Sequence, residues 1–86
     1  MPFYQLLILS ANEYSELCVD RTVCMSLDEA YRIGNLCAEG QDVYGYIIAE
    51  NRNGNLRIVS ESVYGIDYVI FDHKKDGIII REGVMA

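Results

Sequence analysis

Eighty-six residues with 51% apolar content, seven tyrosines and a single proline describe one folded domain, and they exclude a disordered tail or room for a second domain. The net charge of −6 is uneven: residues 1–50 hold eight acids against Arg21 and Arg32, whereas residues 51–86 hold five charges of each sign. That excess repels a phosphate backbone and favours a basic protein surface, so direct nucleic-acid binding is not expected.

No stretch reaches the roughly 18 apolar residues of a membrane span, and the start lacks the basic region of a secretory signal, so the expectation is a cytoplasmic protein without membrane contact. Cys18, Cys24 and Cys37 are odd in number and show no C-x-x-C spacing. They read as small buried apolar residues of a reducing compartment, with no metal site and no cofactor expected.

In chain order, Pro2 to Ser10 is a near-continuous apolar run, too short for a typical helix, and predicts a strand covered on both faces or lying centrally in the sheet. Glu16 to Met25 alternates, with Leu17, Val19, Val23 and Met25 on one side and Asp20 and Thr22 on the other. Arg21 interrupts the apolar side, which places the strand near an edge where a long side chain keeps its charge in water. A helix follows from the Ser26 cap over about residues 27–39. Glu29, three residues beyond Ser26, completes the capping pattern, and Gly40 is read as the left-handed residue that ends the helix.

Leu27, Ala30, Tyr31, Gly34, Cys37 and Ala38 share one helical stripe, widened by Ile33, and this is the core face. Gly34 costs about 1 kcal/mol relative to alanine in a helix interior, which points to a close approach to a sheet. Asp28, Arg32, Asn35 and Glu39 lie on the opposite side, and Leu36 falls among them, a candidate partner contact.

Asp42 to Glu50 and Leu56 to Ser62 flank Asn53-Gly54, a strong signal for a two-residue hairpin turn, because a type I′ turn needs positive φ at both central positions. That turn pairs Ala49 with Ile58, Ile48 with Val59, and Glu50 with Arg57 as opposite charges. The face bearing Val43, Gly45, Ile47, Ala49, Leu56 and Ile58 contains small residues and is assigned to the helix. Tyr44, Tyr46, Ile48, Val59 and Val63 then form the opposite face. Gly45 and Gly65 sit among strand residues, where a bulge or close packing is expected. Ile66 to Asp72 and Ile78 to Val84 repeat the hairpin logic around His73-Lys74-Lys75-Asp76-Gly77, and a two-residue Asp76-Gly77 turn would pair Asp72 with Arg81.

The resulting order is ββαββββ, an α+β fold with an antiparallel or mixed sheet of five to six strands and one helix on one face. Six strands at about 4.8 Å spacing span roughly 24 Å, and a helix is only about 10 Å across. The remaining apolar face therefore calls for curvature of the sheet or a second subunit, and a homodimer is the expectation.

Catalytic patterns are missing: the chain contains no G-x-S-x-G, H-E-x-x-H or phosphate-binding G-x-x-x-x-G-K-[ST], and its one histidine, His73, sits in a charged turn. The leading expectation is a non-enzymatic protein-protein interaction module with no catalytic residue, binding a protein partner through Tyr44, Tyr46, Ile48 and Val59 on the sheet and Leu36, Asp28 and Glu39 on the helix. The alternative is a small-molecule-binding or enzymatic domain with a site formed on the sheet face or between subunits, using Tyr44, Tyr46, His73 or Cys24.

From Ser26 to Ile58, the capped helix, glycine stop, strand and glycine turn resemble the helix-plus-hairpin of many small bacterial and phage domains. A short acidic chain without catalytic motifs is also similar in size and charge to inhibitors carried by mobile elements, anti-CRISPR proteins among them. The analogy implies inhibition of a basic, nucleic-acid-handling protein.

Overall fold

A computed structural model of the chain describes residues 1–73 and 77–83. The expected element order holds: β1 (Phe3–Ala11), β2 (Leu17–Cys24), α1 (Leu27–Ala38), β3 (Val43–Arg52), β4 (Asn55–Val63), β5 (Tyr68–His73) and β6 (Gly77–Glu82). All pairings are antiparallel. The strands do not form one sheet, however. Four make a sheet in the order β2-β1-β3-β4, and β5-β6 is a separate two-stranded ribbon.

β1 is central, as its apolar run predicts: Leu6, Leu7, Ile8 and Leu9 are all buried. Even-numbered residues Leu6 and Ile8 join Cys24, Ala30, Tyr46 and Ile48 in a core beneath α1. Odd-numbered Leu7 and Leu9 join Ile47, Ala49, Ile78 and Ile80 in a second core beneath the ribbon. The molecule is thus a helix, a sheet and a ribbon in three layers. The face left over by one helix is covered by the chain's own β5-β6, whose Ile78 and Ile80 pack on Leu7, Leu9, Ile47 and Ala49.

The helix sits on the side opposite to the expected one. Its stripe packs on the face of Tyr46 and Ile48, while Ile47, Ala49, Leu56 and Ile58 face the ribbon. The reason is large-against-small complementarity: a Cβ placed on Gly34 would lie 2.9 Å from the Tyr46 ring, so the glycine seats the helix on an aromatic side chain. The small Ala49 instead shares the core of Ile78 and Ile80. Gly34 therefore does mark a close approach to the sheet.

Ser26 caps α1 as read, with extended backbone (φ −139°, ψ 154°) and its Oγ accepting from the Glu29 N–H at 3.1 Å. The far end differs from expectation. Positive φ falls not on Gly40 but on Asp42 (φ 60°), two residues later, and the helix closes through the Gly40 N–H donating to the Cys37 carbonyl at 3.0 Å. Asp tolerates the left-handed region because its short side chain can bond locally. Ala38, placed in the core stripe, is exposed.

β2 is an edge strand with Arg21 exposed, as the sequence implies. Leu17 and Val19 pack under the ribbon, but Val23 and Met25, the latter just past the strand's end, are exposed.

The Asn53-Gly54 turn has positive φ at both positions (54° and 82°) and gives the Glu50–Arg57 and Ala49–Ile58 pairs. Beyond them a register shift leaves Val59 unpaired and sets Ile48 opposite Ser60. In the ribbon, Asp72 pairs with Ile78 and Arg81 with Val69, so the expected Asp72–Arg81 pair does not form. The connection is longer than two residues; Lys74, Lys75 and Asp76 lie outside the described residues. Among the described residues, no helix is long and apolar enough to cross a membrane.

The ribbon is held to the sheet by more than apolar contact. The Tyr68 hydroxyl donates to Glu61 of β4, and burial, reinforced by that carboxylate, pushes the Tyr68 phenol well above its usual range. Burial likewise raises Tyr46 and Cys24. Each of these groups is neutral when protonated, so a folded pKa above the unfolded one gives stability that is complete below the unfolded value and lost as pH rises towards the folded one. With unfolded values of roughly 8.5 for Cys and 10 for Tyr, the urea midpoint should hold near neutrality and fall progressively above about pH 9. Tyr68→Phe should flatten the upper part of that fall; a midpoint that stays level to pH 11 would contradict the assignment.

Candidate functional site

The structure divides the sequence-derived site residues into two groups. Tyr46 and Ile48 are buried beneath α1, 6% and 0% exposed, and the half-buried Val59 packs against the same core. The Tyr46 hydroxyl donates to Asn35 Oδ1 at 2.6 Å, fixing the helix to the strand. Tyr44 lies on the other face, packed with Val63 and Tyr68 under the ribbon. A bulge separates the two tyrosines: Leu9 pairs with Gly45 and Ser10 with Val43, so Tyr44 is the additional residue and the alternation reverses. Tyr44 and Tyr46 therefore do not share a face, and Tyr46 and Ile48 lie under the helix instead of on an open surface. Of the residues named for the alternative site, Tyr44 lies across the sheet from Tyr46 and Cys24, and the His73 side chain is outside what the structure describes.

Leu36, Asp28 and Glu39 remain on the outer helix surface, all exposed, with Leu36 at 68%. The three do not carry equal weight. Asp28 lies in the first turn, where a carboxylate complements the positive end of the helix dipole. Glu39 is at the opposite terminus, where a negative charge is unfavourable, and the last turn holds no basic residue. The folding of the helix therefore accounts for Asp28 but not for Glu39 or Leu36.

Glu39 belongs to an acidic end of the molecule. The Ala11 N–H donates to the Asp42 carbonyl at 2.8 Å, which holds the β1–β2 connection against the start of β3. Within that connection Asn12 Oδ1 accepts from the N–H groups of Tyr14 and Glu16, both at 2.9 Å. This turn presents Glu13, Tyr14 and Glu16 to solvent beside Asp42. Among the described residues, both ion pairs are made to Glu50, so none neutralises Glu13, Glu16, Glu39 or Asp42.

Sequence reasoning missed two surfaces. Arg52 and Arg57 both converge on the buried Glu50, at 3.5 and 3.3 Å; only the Arg57 partner was legible from the turn. The outer face of the ribbon exposes Val69 and Phe71, with the Arg81 guanidinium 5.2 Å from the Phe71 ring centre. There every residue from Tyr68 to Phe71 is apolar or aromatic, so the outward face carries no polar alternation to reveal it. Compared with known proteins, the chain matches no family model, no curated protein and no solved structure.

Proposed function

We propose that the protein is a non-enzymatic interaction module that docks a basic protein partner through the outer surface of α1 and the acidic end next to it. The observation that carries this reading is Leu36, 68% exposed on a well-seated helix and followed three residues later by Glu39 at the terminus least suited to a carboxylate. An apolar anchor in an acidic surround suits a partner with a pocket rimmed by lysine or arginine, the charges steering encounter and the leucine adding buried area. Inhibition of a basic, nucleic-acid-handling protein is the concrete form of this activity. The ribbon packs on the sheet face for which a second subunit was expected, and the acidic surround of Leu36 favours a partner of opposite charge over a second copy of this acidic chain.

Affinity capture from the native host with the wild-type chain, Leu36→Ser and Glu39→Lys as parallel baits tests this. A protein retained by the wild type at low salt should be lost at least tenfold in both variants and should elute as ionic strength rises, since exposed charges are screened beyond about 8 Å at physiological salt. Equal retention by all three baits, or retention indifferent to salt, would remove the proposal.

A further inference from the structure

The β3–β4 turn assembles a second charged surface, at the end of β3 away from Asp42. The turn register pairs Arg52 with Asn55 and Glu50 with Arg57, which places Arg52 and Arg57 as diagonal neighbours on one face. Glu50, only 8% exposed, is the group they share. Its Oε1 accepts from Arg57 Nη2 at 3.3 Å and lies 3.5 Å from Arg52 Nε, while the Tyr4 hydroxyl donates to Oε2 at 3.5 Å.

One carboxylate faces two guanidinium groups, so one positive charge is left uncompensated. Each arginine directs a single nitrogen at Glu50 and keeps its other N–H donors, with the side chains 62% and 71% exposed. Asn53 and Asn55 stand beside them, and together with Glu50 the four residues line an open depression of about 380 Å³. Glu50 thus serves as a buried strut. It restrains two flexible side chains, which lowers the ordering cost of a ligand they would jointly hold.

We propose that this depression binds a small oxyanion, a phosphate monoester or a carboxylate, held by the outward nitrogens of Arg52 and Arg57 with the Asn53 and Asn55 amides at its rim. Guanidinium forks match the paired oxygens of such groups, and charge-assisted hydrogen bonds of this type are the stronger class. The acids at the start of β3 do not cancel the site, because its ten residues set the two ends roughly 30 Å apart, several Debye lengths at physiological salt. This site is independent of the α1 docking surface, and either can stand without the other.

The test is a titration of the full-length, ¹⁵N-labelled chain with inorganic phosphate, and separately with acetate, against sodium chloride at matched ionic strength. The readouts are the arginine Nε–Hε signals and the backbone amides of residues 52–57. Saturable shifts of Arg52 and Arg57 are expected with at least one of the two anions and not with chloride. Tighter binding of phosphate identifies a phosphate ester as the ligand class, and tighter binding of acetate a carboxylate. Arg57→Gln should weaken binding at least fivefold, and Arg57→Lys, which keeps the charge but loses the fork, should weaken it less. Shifts that never saturate, that chloride reproduces, or that survive Arg57→Gln unchanged would overturn the proposal.

Discussion

Replacing Gly45 with alanine should destabilise the protein by about 3 kcal/mol or more, a large fraction of what a domain of this size possesses. Two costs act together. Gly45 has φ +141°, a conformation that L side chains rarely adopt, and a Cβ there would stand 1.9 Å from the Ser62 carbonyl oxygen of β4. That neighbour is backbone held in the β3–β4 pairing, opposite Tyr46, and cannot rotate aside as a side chain would. The bulge that places Tyr44 and Tyr46 on opposite faces would have to relax or the β4 strand move. At roughly 4–8 °C per kcal/mol for a domain of 60–100 residues, the melting temperature should fall by about 12–24 °C. Gly54, with φ +82° but open space around it, is the control: Gly54→Ala carries only the backbone cost and should be the milder variant. Similar losses at the two positions would show that the contact with Ser62 adds nothing.

The same bulge explains where the sequence stops being readable. Local signals survive into the structure where only neighbouring residues decide the outcome. Ser26 caps its helix, Asn53-Gly54 turns its hairpin, and the Glu50–Arg57 and Ala49–Ile58 pairs follow from that turn by counting. Counting fails as soon as a strand gains a residue. The shifts between Leu9 and Ser10 and between Ile48 and Ala49 each reverse the alternation beyond them, and with it the faces of Tyr44 and Val63, while Val59 stays on the side of Tyr46 and Ile48. Gly45 marks the first shift and was recognisable as a bulge candidate, but no residue at Val59 signals the second.

The choice of helix face was beyond local reasoning for another reason. Both sides of β3 are apolar from Tyr46 to Ala49, so periodicity assigns neither to the helix. Two non-local facts settle it: β5-β6 leaves the sheet and covers the Ile47 side, and Gly34 fits the Tyr46 ring. The surface features behaved differently. Leu36 stood out because it broke a helical pattern otherwise fully accounted for, and it is exposed. The Arg52/Arg57 site was only half legible, since Arg52 reaches Glu50 along its own strand and not through a cross-strand pair.

Tyr46 separates a core role from a binding role most directly. Tyr46→Ala should cost about 3–5 kcal/mol, the range for removing a buried aromatic ring, because the ring fills the space between Ile48, Ala30 and the Gly34 backbone. The surrounding elements have little scope to close the void, since Gly34 has no side chain to move into it. Tyr46→Phe keeps the ring and removes only the hydroxyl that donates to Asn35. Asn35 is exposed and can turn to water, so that variant should cost about 0.5–1.5 kcal/mol, the net worth of one hydrogen bond. Leu36→Ser, on the outer helix surface, should stay within about 0.5 kcal/mol of the wild type, as surface substitutions do. Urea denaturation of the three variants at a common pH measures all of this, with an unchanged slope showing that the shifts are in stability. If Tyr46→Ala cost less than about 1 kcal/mol, the tyrosine would not be a core residue. If Leu36→Ser cost as much as Tyr46→Ala, the exposed leucine would be needed for folding, and its claim to be a docking residue would fail.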